Sequence, residues 1–112
     1  MNETDLQMNV VNYIKMQYPK ARFCASLGGI RTSMSQAKKA KANGYWAGFP
    51  DLQICEPNRN GYHGMFIEIK TEKGKATQIQ KQWIKALNER GYKAVICKGF
   101  IDCKEEIDKY LK

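Results

Sequence analysis

"GMFIEIKT", residues 64–71, reads as a β-strand whose apolar run is interrupted by charge. Phe66, Ile67 and Ile69 are aromatic or β-branched, the types that suit a pleated, partly buried surface. Residues two apart in a strand point the same way, so Glu68 and Lys70 share one face. Burying a charge without a partner is unfavourable, so something that answers this pair must lie close by.

The chain on either side supplies the partners of this strand. PNRNG at 57–61 is turn chemistry, and before it Asp51–Glu56 (DLQICE) alternates, with Leu52 and Ile54 on one side and Asp51 and Gln53 on the other. Two strands joined by so turn-rich a connection are expected to pair antiparallel. The turn is centred between Arg59 and Asn60, which sets Asp51 nearly opposite Glu68 with Cβ atoms about 5 Å apart. A slip of one residue would send every side chain to the other face. Downstream, Thr77–Arg90 spaces Ile79, Trp83, Ile84 and Leu87 as a helix does, with Gly91 as its stop. Tyr92–Lys98 (YKAVICK) is a further strand, and the interval is long enough for a parallel β-α-β crossover.

The remaining segments complete the pattern. Thr4–Tyr18 carries Leu6, Val10, Tyr13, Ile14 and Gln17 along one stripe, with Thr4 and Gln7 at capping-box spacing and Pro19 as a stop. Arg22–Leu27 reads as a short strand ended by Gly28-Gly29. Ser33–Asn43 is helix-prone but has only Met34 and alanines to bury, so it is expected to be exposed. Lys38, Lys39 and Lys41 then form either a solvated helical face or a phosphate contact. Asp102–Leu111 closes the chain as a helix, with Asp102 and Glu105 at capping spacing. The order α-β-α-β-β-α-β-α predicts an α/β fold, a mixed central β-sheet flanked by helices. At 112 residues it is expected to be one domain over 1–112.

Nineteen Lys+Arg against eleven Asp+Glu leave a formal charge of +8, which favours an acidic partner, nucleic acid before an anionic membrane. No apolar run approaches the roughly 20 residues of a membrane span. The opening MNETDLQ is polar and acidic, unlike a signal peptide. An intracellular, cytoplasmic setting is expected. The four cysteines, Cys24, Cys55, Cys97 and Cys103, form no C-x-x-C pair, and are expected to be reduced and mostly buried thiols. No Walker loop is present, so no nucleotide cofactor is expected. His63, the single histidine, falls in a turn and reads as a surface residue. Trp83 reads as packing, and Tyr45-Trp46 as either a loop anchor or a platform for unpaired bases.

Two carboxylates as close as Asp51 and Glu68 repel unless something positive lies between them. A shared proton is one remedy, and a divalent cation is another. Lys70 would then stand beside the ion, placed to act on an attacking water or on phosphate charge. The plainer alternative is an ion pair of Lys70 with Asp51 or Glu68 at a sheet end.

Gly48-Phe49-Pro50-Asp51 followed by Glu68-Ile69-Lys70 resembles the P-D…E-x-K signature of the PD-(D/E)XK nuclease superfamily. More closely, the chain resembles the VRR-NUC family, whose pattern runs from G-x-P-D-L through E-x-K and a glycine-containing turn to a helix opened by Ser/Thr-x-x-Gln. Gly48, Pro50, Asp51, Leu52, Glu68, Lys70, Gly74, Thr77 and Gln80 match it, and Leu87 and Gly91 fit its tail. The likeness runs from Glu3 to Val95. It implies a restriction-endonuclease-like core and a phosphodiesterase acting on DNA with Mg²⁺ or Mn²⁺. Asp51, Glu68 and the Ile69 carbonyl would hold the metal, and Glu3 would complete the shell. Lys70 would act on the attacking water. Gln80 would steady the active site, although Thr77-x-x-Gln80 is equally a capping box.

Stand-alone members of the family resemble Holliday-junction resolvases, which dimerise and cut branched DNA. No appended domain is expected, and the chain looks like such a member, of bacterial or phage type. It is therefore expected to be a homodimeric, structure-selective endodeoxyribonuclease for four-way junctions, with Arg31, Lys38, Lys39 and Lys41 as DNA contacts. The alternative is a non-catalytic nucleic-acid-binding module on a nuclease-like fold, motivated by the +8 charge and the basic 38–41 helix. Intact Asp51, Glu68 and Lys70 weigh against it. A restriction-type nuclease with sequence preference has no recognition helix to support it.

Overall fold

All six residues of the strand Met65–Lys70 (β3) are buried, because helices cover both of its faces. The computed structural model describes residues 1–26 and 33–112. Around β3 the described elements run α1 Glu3–Gln17, β1 Phe23–Ala25, α2 Met34–Ala42, β2 Leu52–Ile54, then β3, α3 Gln78–Asn88, β4 Lys93–Lys98 and α4 Gly99–Leu111. The four strands form one mixed sheet in the order β1-β2-β3-β4, antiparallel for the first two pairings and parallel for β3 with β4. This is the expected α/β architecture. No helix among the described residues is long and apolar enough to cross a membrane.

Strand alternation divides the core into two layers. Leu52, Ile54, Met65, Ile67, Ile69 and Cys97 face Leu6, Val10 and Ile14 of α1 and Cys103, Ile107 and Tyr110 of α4. On the opposite face Phe66 and Ala94 meet Leu87 of α3, with Phe49, Trp83, Ile84 and Tyr92 packed around them. Fully burying a single Leu or Ile contributes about 1.5–3 kcal/mol, so the larger layer holds the sheet firmly against α1 and α4.

The hairpin register is Leu52 with Ile67 and Ile54 with Met65, and one further step sets Asp51 opposite Glu68. That is the alignment expected from the centre of the turn. Two helix starts differ from expectation. The N-cap of α1 is Asn2, whose Oδ1 accepts from the Asp5 N–H at 2.8 Å, rather than Thr4. Helix α4 opens at Gly99, a turn ahead of Asp102, whose Oδ2 accepts from the Lys98 N–H at 2.9 Å. Capping boxes do form at Ser33/Gln36 and Thr77/Gln80. Helix α2 buries none of its residues, as its composition implied.

The cysteines divide evenly, which corrects the expectation of mostly buried thiols. Cys97 and Cys103 are buried, but Cys24 and Cys55 are exposed. Cys24 pairs with Gln53, on the face of the sheet opposite the buried Leu52 and Ile54. Apolar neighbours in sequence did not reveal which face of that strand pair is covered.

Candidate metal centre

Three elements bring carboxylates together. Asp51 ends the loop that enters β2, Glu68 lies in β3, and Glu3 opens α1. The loop is seated by Gly48, whose φ of +88° suits glycine and where a Cβ would clash with Ile79 Cγ2. Trp83 braces the same loop: its Nε1–H donates to the Ala47 carbonyl at 3.2 Å and its ring meets Phe49 edge-on. Asp51 Oδ2 then accepts from the Ile69 N–H at 2.7 Å, so a side chain takes a backbone donor where the β2 ladder stops.

One ligand oxygen each from Glu3, Asp51 and Glu68 lies within 4.8 Å of the others. Lys70 Nζ stands 3.5 Å from Glu68 Oε2 and 3.9 Å from Glu3 Oε1. Glu68 is 2% exposed and Lys70 7%, so both polar ends sit where water is scarce. Burial pushes the Glu68 carboxyl up, and the neighbouring Asp51 carboxylate pushes it further, to about 8. Lys70 pulls the other way without prevailing. Glu68 Oε1 is buried and has no hydrogen-bond partner among the described residues.

A buried carboxylate with one oxygen unpaired among the described residues, opposed by a second acid, fits a divalent cation. An all-oxygen donor set suits Mg²⁺ or Mn²⁺ better than a soft, thiolate-seeking ion. Ile69 separates Glu68 from Lys70 in the strand, and its N–H is already bound by Asp51.

Other candidate residues are placed differently. Gln80 Oε1 accepts from the Thr77 N–H at 2.9 Å, so its side chain closes the α3 cap. Lys38, Lys39 and Lys41 lie on α2, a helix that buries none of its residues. Arg31, with Leu27 and Gly28-Gly29, lies outside the described residues. His63 rests edge-on against Tyr92. Trp46 is 69% exposed, its ring edge-on to Trp83 at 5.2 Å.

Sequence reasoning passed over Ser26. Its N–H donates to the Asp51 carbonyl at 2.9 Å, and its Oγ is the other buried side-chain oxygen lacking a partner among the described residues. The available signal was positional: Ser26 is the β1-side neighbour of Asp51.

The comparisons with known proteins agree with this geometry. The family model described as "VRR-NUC domain" matches residues 2–101. A solved structure described as a VRR_NUC domain protein superposes with a TM-score of 0.84 at 34% identity, covering 99% of this chain and 88% of that one. The Fanconi-associated nuclease 1 homolog of Arabidopsis thaliana is 35% identical over 54 residues, 46% of this chain. The match spans only 6% of that much longer relative. Together, an almost chain-long family match and a closely similar fold establish that this chain belongs to the VRR-NUC family of nuclease domains.

Proposed function

We propose that residues 1–112 act as one Mg²⁺- or Mn²⁺-dependent endodeoxyribonuclease domain, cutting branched DNA of the four-way, Holliday-junction type as a homodimer in an intracellular setting. One observation carries this reading: Glu3, Asp51 and Glu68 converge within 4.8 Å, the buried Glu68 Oε1 has no hydrogen-bond partner among the described residues, and Lys70 stands alongside. When bound, a divalent cation lowers the pKa of a coordinated water and offsets charge gathering on the phosphate. Asp51 and Glu68 hold that cation, with Glu3 and the Ile69 carbonyl as further oxygens. Lys70 Nζ, kept in place by Glu68 Oε2 at 3.5 Å, orients the attacking water and stabilises the phosphate oxygens. Gln80 contributes by fixing the start of α3 through its cap with Thr77. Arg31, Lys38, Lys39 and Lys41 are DNA contacts in this reading. A two-fold dimer suits a four-armed substrate, because two sites can reach opposed strands.

The test is a panel of labelled linear, flapped and four-way DNAs incubated with Mg²⁺ and Mn²⁺, beside a solution mass measurement. Asp51→Asn and Lys70→Ala should abolish cleavage and leave junction binding largely intact. Wild-type rates in both variants would refute the site. No product on any substrate would favour the non-catalytic binding module, and a monomeric mass would remove the dimer.

A further inference from the structure

Two buried side-chain oxygens lack a partner among the described residues, Glu68 Oε1 and Ser26 Oγ, and sheet register relates them. Ala25 pairs with Leu52 and Leu52 with Ile67, so the next row across the three strands reads Ser26, Asp51, Glu68. The Ser26 N–H bonded to the Asp51 carbonyl at 2.9 Å carries the first pairing one step beyond the end of β1. Residues directly opposite in adjacent strands project to the same face, with Cβ atoms about 4.5–5.5 Å apart. The residues that carry the two unsatisfied oxygens therefore flank Asp51 in one row of the sheet.

A buried hydroxyl without a partner is unfavourable, so its retention needs a reason. Mg²⁺ and Mn²⁺ keep several of their waters when carboxylates bind them, and such waters need fixed hydrogen-bond partners. A serine hydroxyl both donates and accepts, so it can receive a hydrogen bond from a coordinated water and pass one on. Within the metal-dependent reading above, we infer that Ser26 is a positioning residue of the metal centre, its hydroxyl holding a water bound to the cation between Asp51 and Glu68.

The test is Ser26→Ala in the full chain, read in two ways without any substrate. Calorimetric titration with Mn²⁺ should show affinity weakened by about ten- to a hundredfold, the usual effect of losing a partner of this kind. Thermal unfolding in EDTA should show the variant melting at or above the temperature of the unaltered chain, because an unsatisfied buried hydroxyl has been removed. A merely structural serine would give the opposite pattern, a lower melting temperature in EDTA with unchanged Mn²⁺ affinity. Unchanged affinity, or a lower melting temperature in EDTA, overturns the inference. If the unaltered chain binds no Mn²⁺, the metal centre itself fails, and the role of Ser26 with it. Binding by both proteins with equal affinity removes the Ser26 role alone.

Discussion

Replacing Glu68 with Gln should make the metal-free protein less sensitive to pH, and more stable at neutral pH. Glu68 is 2% exposed, and burial together with the Asp51 carboxylate raises its carboxyl from 4.5 to about 8. Below pH 4.5 the folded and unfolded chains both hold this proton. Between pH 4.5 and 8 the unfolded chain releases it while the folded chain keeps it, so stability falls as pH rises through that window. Integrating this linkage to pH 7 gives a loss on the order of 3 kcal/mol, a large share of the roughly 5–15 kcal/mol typical of a domain. Glu68→Gln keeps the shape of the side chain and removes the titration. The assay is urea unfolding in EDTA at half-unit steps from about pH 4.5 to 8, with the two proteins compared at each step. Their stability difference should move by about 3 kcal/mol in favour of the variant between pH 4.5 and 7. Saturating Mn²⁺ should abolish that trend in the unaltered chain, because the cation takes the place of the proton. A stability difference that stays flat across the window would refute the account of the site's electrostatics.

Asp108→Asn should weaken the seam between α1 and α4. Burial alone would raise the Asp108 carboxyl, but hydrogen bonds from Tyr13, Tyr18 and Lys104, at 2.6, 2.6 and 3.0 Å, outweigh it and hold it at about 2. Its contribution is full above the ordinary value of 3.8 and is lost as pH falls through about 2. The variant should lose about 1–2 kcal/mol at pH 7, allowing for solvent screening, and the gap should close in acid. Urea titrations at pH 7 and about pH 2.5 follow the gap, which should be well under half its neutral value at the lower pH and vanish only below about pH 2. Lys38→Ala, Lys39→Ala and Lys41→Ala combined should leave the fold intact, because α2 buries nothing. The combination should reduce the salt dependence of DNA binding by about 0.9 in log–log slope for every phosphate that α2 no longer neutralises. An unaltered slope would remove α2 from the DNA interface.

Much of the core and the acid pair were legible because each follows a short-range rule. Alternation in Asp51–Glu56 and Gly64–Thr71, with one turn between them, determines the register and therefore which acid meets which. Exposure of α2 followed from its lack of anything large to bury. What escaped detection depends on competition or on coverage. Asn2, Thr4 and Asp5 are all plausible partners for the N-terminal N–H groups of α1, and only the entry path of the chain selects Asn2. Cys24 and Cys55 lie among apolar neighbours, but strand composition does not say which face a helix will cover. The Asp51 bond to the Ile69 N–H forms where the β2 ladder stops, and alternation alone does not mark that point. Ser26 was missed for a related reason: serine at a strand end is ordinary until its buried hydroxyl is found with no partner among the described residues.

The alternation of β3 also guards the hairpin against its own mispairing. A one-residue slip would exchange the two sides of the strand, turning Glu68 and Lys70 into the layer beneath α1 and α4. Ile67 and Ile69 would then face the acids. Two charges driven into an apolar layer incur a desolvation penalty of several kcal/mol each, far more than a shifted set of backbone hydrogen bonds recovers. The residues that give this strand its chemistry thus also guard its register: a hairpin that closes out of step is penalised as soon as it packs.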